Sequence, residues 1–406
     1  MPTIKKIIIL TAYPFNQRDY KRFGVEILRH SGFDVEIWDI TSCLHDSFKS
    51  RLVQEDPNTF KDLRVFEKKH QLVNAISSLD KTCIINCFIE YSHRTFFIFK
   101  TISKNQVRYC TWGFASFPNP IPLQQTNLWG RIKSTLKKAG SLRFTEILEH
   151  VLNKLLLKYH FLFGISAAWV IILGGEKSIE NISHPVNDST IRLWTHMPDY
   201  DIYLLEDSIA SDQNGSMGVF LDEFVPFHPD FLYMGIDFVI SPEQYYPKIC
   251  DFFSILEKFS DNYIVIAAHP RSDYSKQPDY FCGRSVIKGN TSCLVKNSTF
   301  VVAHMSTAID FAVLYHKPLI FITSDDLQKM NSGKNLTGLY IQTIARELGK
   351  SPINIDHLSD FSWVKEMEIN EDAYHKYKNN YIKKEGTPEK PIWQVFSSYL
   401  KKEKSP

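Results

Sequence analysis

The sequence predicts an α/β protein built from two successive domains, each a doubly wound parallel sheet, facing one another across a cleft. Three observations carry this expectation. Short, continuously apolar runs rich in β-branched residues alternate with helical segments. The alternation occurs twice, before and after a polar stretch at 205–216. The length, 406 residues, suits two or three domains of roughly 150 residues each.

The first run, residues 4–10, is apolar throughout, as a strand buried on both faces of a parallel sheet should be. Residues 18–31 place Phe23, Ile27 and Leu28 at helical spacing, and Gly32 marks the stop. The run at 33–40 completes a β-α-β unit, whose right-handed crossover starts a doubly wound sheet. Runs at 83–89, 106–112, 168–175 and 191–194 read as further strands. Between them, residues 127–163 read as two helices that carry Arg131, Lys133, Lys137, Lys138, Arg143, Lys154, Lys158 and His160 beside a leucine-rich stripe. The second series opens with a strand at 217–224 that ends in acids. A helix at 241–260 follows, with Pro242 and Glu243 in its first turn. Strands within 262–270 and 298–306, a helix from Ser306 or Thr307 to Tyr315 and a strand within 318–325 complete the series. The expected organisation is a Rossmann-like acceptor domain at 1–205 with the 127–163 insertion, a Rossmann-like nucleotide-sugar domain at 216–385, and a helical tail at 386–406.

Hydrophobic residues make up 44% and charged residues 23%, which excludes a disordered chain. Lys plus Arg is 47 against 45 Asp plus Glu, so nothing in the net charge of +2 points to nucleic acid. Seven cysteines without a C-x-x-C pair argue against a disulfide framework or a thiolate zinc site, and favour a reducing cytoplasm. The apolar run at the start is too short for a signal-peptide core, and the most apolar window, 159–173, is too short to span a bilayer. There is no G-x-x-x-x-G-K-[ST] and no G-x-G-x-x-G after the first strand, which argues against P-loop and dehydrogenase chemistry.

In open α/β sheets ligands bind at the carboxyl ends of strands, and polar residues follow the apolar runs there. His269-Pro270 follows the strand at 263–268. Proline disfavours helix at the residue before it, so the histidine is held extended, with a ring nitrogen to offer a phosphate. Ser306 and Thr307 follow the strand at 299–303 and read as an anion site or a plain helix cap. Asp222-Glu223 ends the first strand of the second series. Two adjacent acids point to opposite sides of extended chain, so one is a candidate general base and the other a supporting group. Asp199-Tyr200-Asp201 has the spacing of a metal-holding D-x-D, but the run that follows reads as a helix and the motif is discounted, so no metal is expected.

A strand ending in two acids, then strand-His-Pro, then strand-Ser-Thr-helix, in that order within 215–325, resembles bacterial GT-B glycosyltransferases. The resemblance is to those using CMP-activated sugar acids: sialyltransferases, and the Kdo and capsule transferases of surface-carbohydrate biosynthesis. It implies that Asp222 is the base, that His269, Ser306 and Thr307 hold the CMP phosphate, and that the sugar is transferred with inversion and without a metal or other cofactor. One departure is Phe224, which stands where the family's D/E-D/E-G motif has glycine. The same resemblance places the acceptor, a glycan or lipid-linked glycan, at the first domain, with Asp19 and Arg22 as candidate contacts. The basic, leucine-rich stretch adds an expectation of docking to an anionic surface, at the cytoplasmic face of the membrane. Two alternatives stand beside this reading: a GT-B transferase or epimerase using a UDP-, GDP- or TDP-sugar, and a non-catalytic membrane-docking partner of polysaccharide machinery.

Overall fold

The computed structural model describes residues 3–44, 60–114, 118, 120, 144–207, 216–228, 240–329, 336–358 and 361–402. The chain divides into two units: 1–115 with 144–198 and 383–406, and 116–143 with 199–382. Residues 208–215 of the expected linker and 127–143 of the basic stretch lie outside the described residues.

Among the described residues the first unit contains a seven-stranded sheet. Its strands are β1 (Lys6–Thr11), β2 (Asp34–Asp39), β3 (Leu63–Val65), β4 (Cys83–Phe88), β5 (Arg108–Gly113), β6 (Val170–Leu173) and β7 (Ile191–Trp194). Their order is β3-β2-β1-β4-β5-β6-β7, and every pairing is parallel. The apolar run of β1 is explained by its two faces. Ile8 and Leu10 enter one core cluster, and Ile7 and Ile9 enter another on the opposite face. Each such side chain contributes about 1.5–3 kcal/mol relative to exposure.

The helix expected at 18–31 is two helices, Gln17–Arg22 and Val25–His30. They are separated by Gly24 at φ +58°, and a Cβ there would lie 2.1 Å from the Trp393 ring. The spacing of Phe23, Ile27 and Leu28 is helical on either side of the break, so periodicity alone does not reveal it. Trp393 also donates from Nε1 to the Arg22 carbonyl at 2.8 Å. It belongs to the closing helix Ile392–Lys402, whose Ile392, Trp393, Phe396 and Leu400 lie in the first unit's core.

The second unit contains a six-stranded parallel sheet among the described residues. Its strands are β8 (Met217–Leu221), β9 (Tyr263–Ala268), β10 (Val286–Lys288), β11 (Phe300–Ala303), β12 (Leu319–Thr323) and β13 (Ile353–Asn354). The order is β10-β9-β8-β11-β12-β13. Helix Pro242–Ser260 begins with a capping box between Ser241 and Gln244 and buries Tyr245, Ile249, Phe252, Phe253 and Leu256. Phe220, Phe253, Phe300 and Ile320 pack in one cluster. The short edge strands β3, β10 and β13 were not expected from the sequence. Two or three residues carry no readable period.

Candidate functional site

The strand order of the second unit reverses between β8 and β11, so the crevice outside their carboxyl ends is the place where this type of sheet binds ligands. β8 delivers Asp222-Glu223 to that edge, and β11 delivers residues 304–307. β9, the other neighbour of β8, ends at Ala268 and delivers His269.

Asp222 and Glu223 turn to opposite sides. Asp222 turns towards β9 and is buried at 3% exposure. Its Oδ1 accepts the Phe224 N–H at 2.9 Å, and its Oδ2 accepts the His269 N–H at 3.3 Å and the Tyr274 hydroxyl at 2.9 Å. Burial pushes its carboxyl up to about 6 against these three donors, leaving a group that is ionised at neutral pH and close to it. Phe224, at the glycine position of the resembling motif, has φ +56°, the left-handed conformation that favours glycine. The turn is therefore the one glycine makes most easily, held here by a side chain whose ring packs on Phe227 and Tyr274.

Glu223 turns towards β11. The residue keeps partial exposure, but its carboxyl group is enclosed and accepts the Met305 N–H at 2.5 Å; the neighbouring N–H groups of Ser306 and His304 also favour its charged form. Burial, with a smaller push from Asp222, raises it to about 8. Burial thus raises both carboxyls, Glu223 further than Asp222, an asymmetry of the kind that separates an acid from a base.

His269 Nδ1 accepts the N–H of Arg271 at 3.2 Å, which places the proton of the neutral ring on Nε2. Its carbonyl accepts both the N–H and the hydroxyl of Ser272, so the turn after Pro270 is hydrogen-bonded from both sides. The helix expected from Ser306 or Thr307 begins later, at Ile309, and has six residues. Ser306 and Thr307 form the turn before it. Their carbonyls accept the N–H groups of Ile309 and Asp310, and Ser306 Oγ accepts that of Ala308. What β11 offers an anion is therefore the run of N–H groups at 304–306, not a helix end.

Two supporting residues were missed by sequence reasoning. Tyr274 ties Asp222 to the loop after β9, and no motif or spacing signals it. His304, fully buried, donates from Nδ1 to the Ile322 carbonyl at 2.7 Å and accepts the Tyr245 hydroxyl at Nε2, 2.9 Å away. Burial lowers its pKa to about 4, so it is a neutral brace between β11, β12 and the helix Pro242–Ser260.

Other candidates lie elsewhere. Asp19 and Arg22 are on the helix Gln17–Arg22 of the first unit. Asp199 and Asp201 are in the first turn of helix Pro198–Asp207. Among the described residues, no group of three or more His, Cys, Asp or Glu side chains is placed to hold a metal ion. Lys133, Lys137, Lys138 and Arg143 fall outside the described residues, while Lys154 and Lys158 lie on the helix Phe144–Lys158. No helix among the described residues is long and apolar enough to cross a membrane.

No protein-family sequence profile matches the chain, and no curated protein sequence matches it. Solved structures do. The UDP-GlcNAc 2-epimerase of Methanocaldococcus jannaschii is 10% identical over 98% of this chain and 100% of its own, with a TM-score of 0.42. The calicheamicin glycosyltransferase CalG4 is 12% identical over 97% and 94%, at 0.44. The wall teichoic acid polymerase TagF is 11% identical over 98% and 89%, at 0.46. These names correct the expected donor. The nucleotide sugar among them is UDP-GlcNAc, and none of the three is named for a CMP-linked sugar acid. Transfer of a nonulosonate or Kdo from a CMP-sugar is therefore set aside. What stands is architectural: two successive Rossmann-like parallel sheets, each doubly wound, give the chain a fold of the GT-B type.

Proposed function

We propose that the second unit binds a nucleoside-diphosphate sugar at the carboxyl end of β8, and that the chain transfers the sugar, with inversion and without a metal ion, to a glycan or lipid-linked glycan acceptor. One observation carries the reading: Asp222 Oδ2 accepts from both His269 and Tyr274, which makes the acid and the His-Pro turn one hydrogen-bonded unit beside the N–H groups of β11. Donors stand on both neighbours of β8, with the His269 ring on one side and residues 304–306 on the other. Two separate groups of donors suit two phosphoryl groups. Each charge-assisted bond to a leaving phosphate contributes about 1.5–3 kcal/mol. Asp222, ionised above about pH 6, takes the proton of the acceptor hydroxyl, which replaces the Tyr274 hydroxyl as its partner. A thermal-shift panel of UDP, GDP and TDP, with CMP as control, tests the reading. Saturating ligand at 100 times its dissociation constant stabilises by about 2.7 kcal/mol, and no shift with any diphosphate would defeat it.

A second reading, 2-epimerisation of a nucleotide sugar, is favoured by the asymmetry of the acid pair, in which Glu223 is raised further than Asp222. Two carboxyls of unequal acidity are what removal and return of a proton require. Incubation with UDP-GlcNAc in D2O separates the two: deuterium entering the recovered sugar supports epimerisation, and its absence alongside acceptor glycosylation supports transfer.

A further inference from the structure

The group that fills the N–H cradle at the end of β11 is part of the chain itself. β11 ends at Ala303, and in the turn that follows the Met305 N–H donates to Glu223 Oε1, while the N–H groups of His304 and Ser306 also favour the charged form of that carboxyl. The His304 ring adds nothing to the cradle, because both of its nitrogens are engaged by Ile322 and Tyr245. Asp222, the preceding residue, turns away to β9 and leaves Glu223 as the only side chain with a hydrogen bond to the Met305 N–H among the described residues. An oxygen atom of a carboxyl group and one of a phosphoryl group make the same demand on these donors, and they cannot occupy the cradle together.

We propose that Glu223 is an internal occupant of the anion cradle, a positioning residue that keeps the 304–306 turn ordered and that a phosphoryl group of the ligand must displace. The proposal deepens the functional reading given above and rests on its placing a phosphoryl group at this turn. Glu223 then sets how strongly an anion has to compete for entry. Binding exchanges one set of hydrogen bonds for another, so affinity is held below what the bare cradle would give. When the phosphoryl group leaves, the side chain returns to the Met305 N–H and closes the cradle behind it.

The test is isothermal titration of the full chain with inorganic pyrophosphate and, separately, UDP, comparing wild type with Glu223→Ala and Glu223→Gln. Circular dichroism and a melting curve establish that each variant is folded. The alanine variant leaves the Met305 N–H without its carboxyl partner and is expected to bind pyrophosphate about tenfold more tightly or better. The glutamine variant retains an oxygen for the cradle and lies between it and wild type. Unchanged or weaker pyrophosphate binding in a folded Glu223→Ala protein overturns the proposal. The same holds where only the glutamine variant folds and it binds no more tightly than wild type. Tighter pyrophosphate binding without UDP binding in any form upholds the occupied cradle and sinks the nucleotide-sugar reading. UDP binding that is equal in all three forms does the reverse.

Discussion

The Tyr274 hydroxyl donates to Asp222 Oδ2 at 2.9 Å, across 52 positions of sequence, and it is the one side-chain donor among the three that hold this carboxylate. The bond joins the end of β8 to the loop after β9. It opposes the burial that raises the Asp222 pKa, because a donor favours the charged form. Tyr274 also meets the Tyr246 hydroxyl at 3.1 Å, so the acid is tied through it to the helix Pro242–Ser260.

Tyr274→Phe should therefore move the pKa of Asp222 further up from about 6. If Asp222 is the base, the acidic limb of the rate profile shifts to higher pH, with the plateau rate changed less than the limb. Stability should fall by about 1 kcal/mol for the lost bond. A pH-rate profile and urea unfolding check both effects, and an unmoved acidic limb would separate Asp222 from the rate.

Asp222→Asn should lower turnover by roughly 10²–10⁴-fold while leaving nucleotide affinity nearly unchanged, because a base acts in the transition state and not in the bound ground state. The side chain keeps its shape, and its oxygen can still accept from Phe224 or His269. Turnover and titration of UDP on the same preparation decide the matter. A larger rate loss in Glu223→Gln than in Asp222→Asn would exchange the roles of the two acids.

The sequence carried the parts of this site that lie in consecutive residues. Asp222-Glu223, His269-Pro270 and Ser306-Thr307 each follow an apolar run, and the structure brings all three to one edge of one sheet. Their opposite directions at 222 and 223 follow from the two-residue period of extended chain. What could not be read was anything decided by distant packing. Tyr274 is a partner of Asp222 only because β9 lies beside β8. At the break, Gly24 leaves the space that the ring of Trp393, hundreds of residues away, occupies. The start of the last site helix at Ile309 also escaped the pattern, because serine and threonine are favoured both as caps and in the turn before one. Phe224 shows the reverse case: a phenylalanine holds the left-handed backbone that favours glycine.

Glu223 should make stability fall with rising pH. Its ordinary pKa is 4.5 and its folded value about 8, so between these values the folded chain holds a proton that the unfolded chain releases. The folded state is disfavoured progressively as pH rises through that window, and the full cost is present above it. Asp222 acts in the same sense between 3.8 and about 6. His304, lowered from 6.5 to about 4, acts oppositely, stabilising fully above 6.5 and losing this as pH falls towards 4. Glu223→Gln should therefore melt higher than wild type at pH 9, by on the order of 5 °C, with a smaller gap at pH 5. Melting curves at both values check this. Equal gaps would mean that the carboxyl does not titrate within the window.

The first unit carries an exposed apolar stripe on its surface. On the helix Phe144–Lys158, Leu148, Val151, Leu152 and Leu155 are exposed at spacings of three and four, and the following turn exposes Phe161, Leu162 and Phe163. Leu156 is buried in the core and anchors the helix to its unit. Lys154 and Lys158 are exposed along the same helix. An apolar stripe flanked by lysines suits the headgroup region of an anionic bilayer, where each Lys or Arg contributes about 1 kcal/mol and apolar side chains add by insertion. The chain should sediment with vesicles containing phosphatidylglycerol and bind less as salt rises, because charge attraction is screened over roughly 8 Å at physiological ionic strength. The double variant Val151→Glu with Leu155→Glu should release it. These side chains are already in solvent, so the fold should melt within about 1 kcal/mol of wild type, and turnover of a soluble acceptor should persist. A protein that stays free of such vesicles even at low salt would make the stripe an ordinary solvated face.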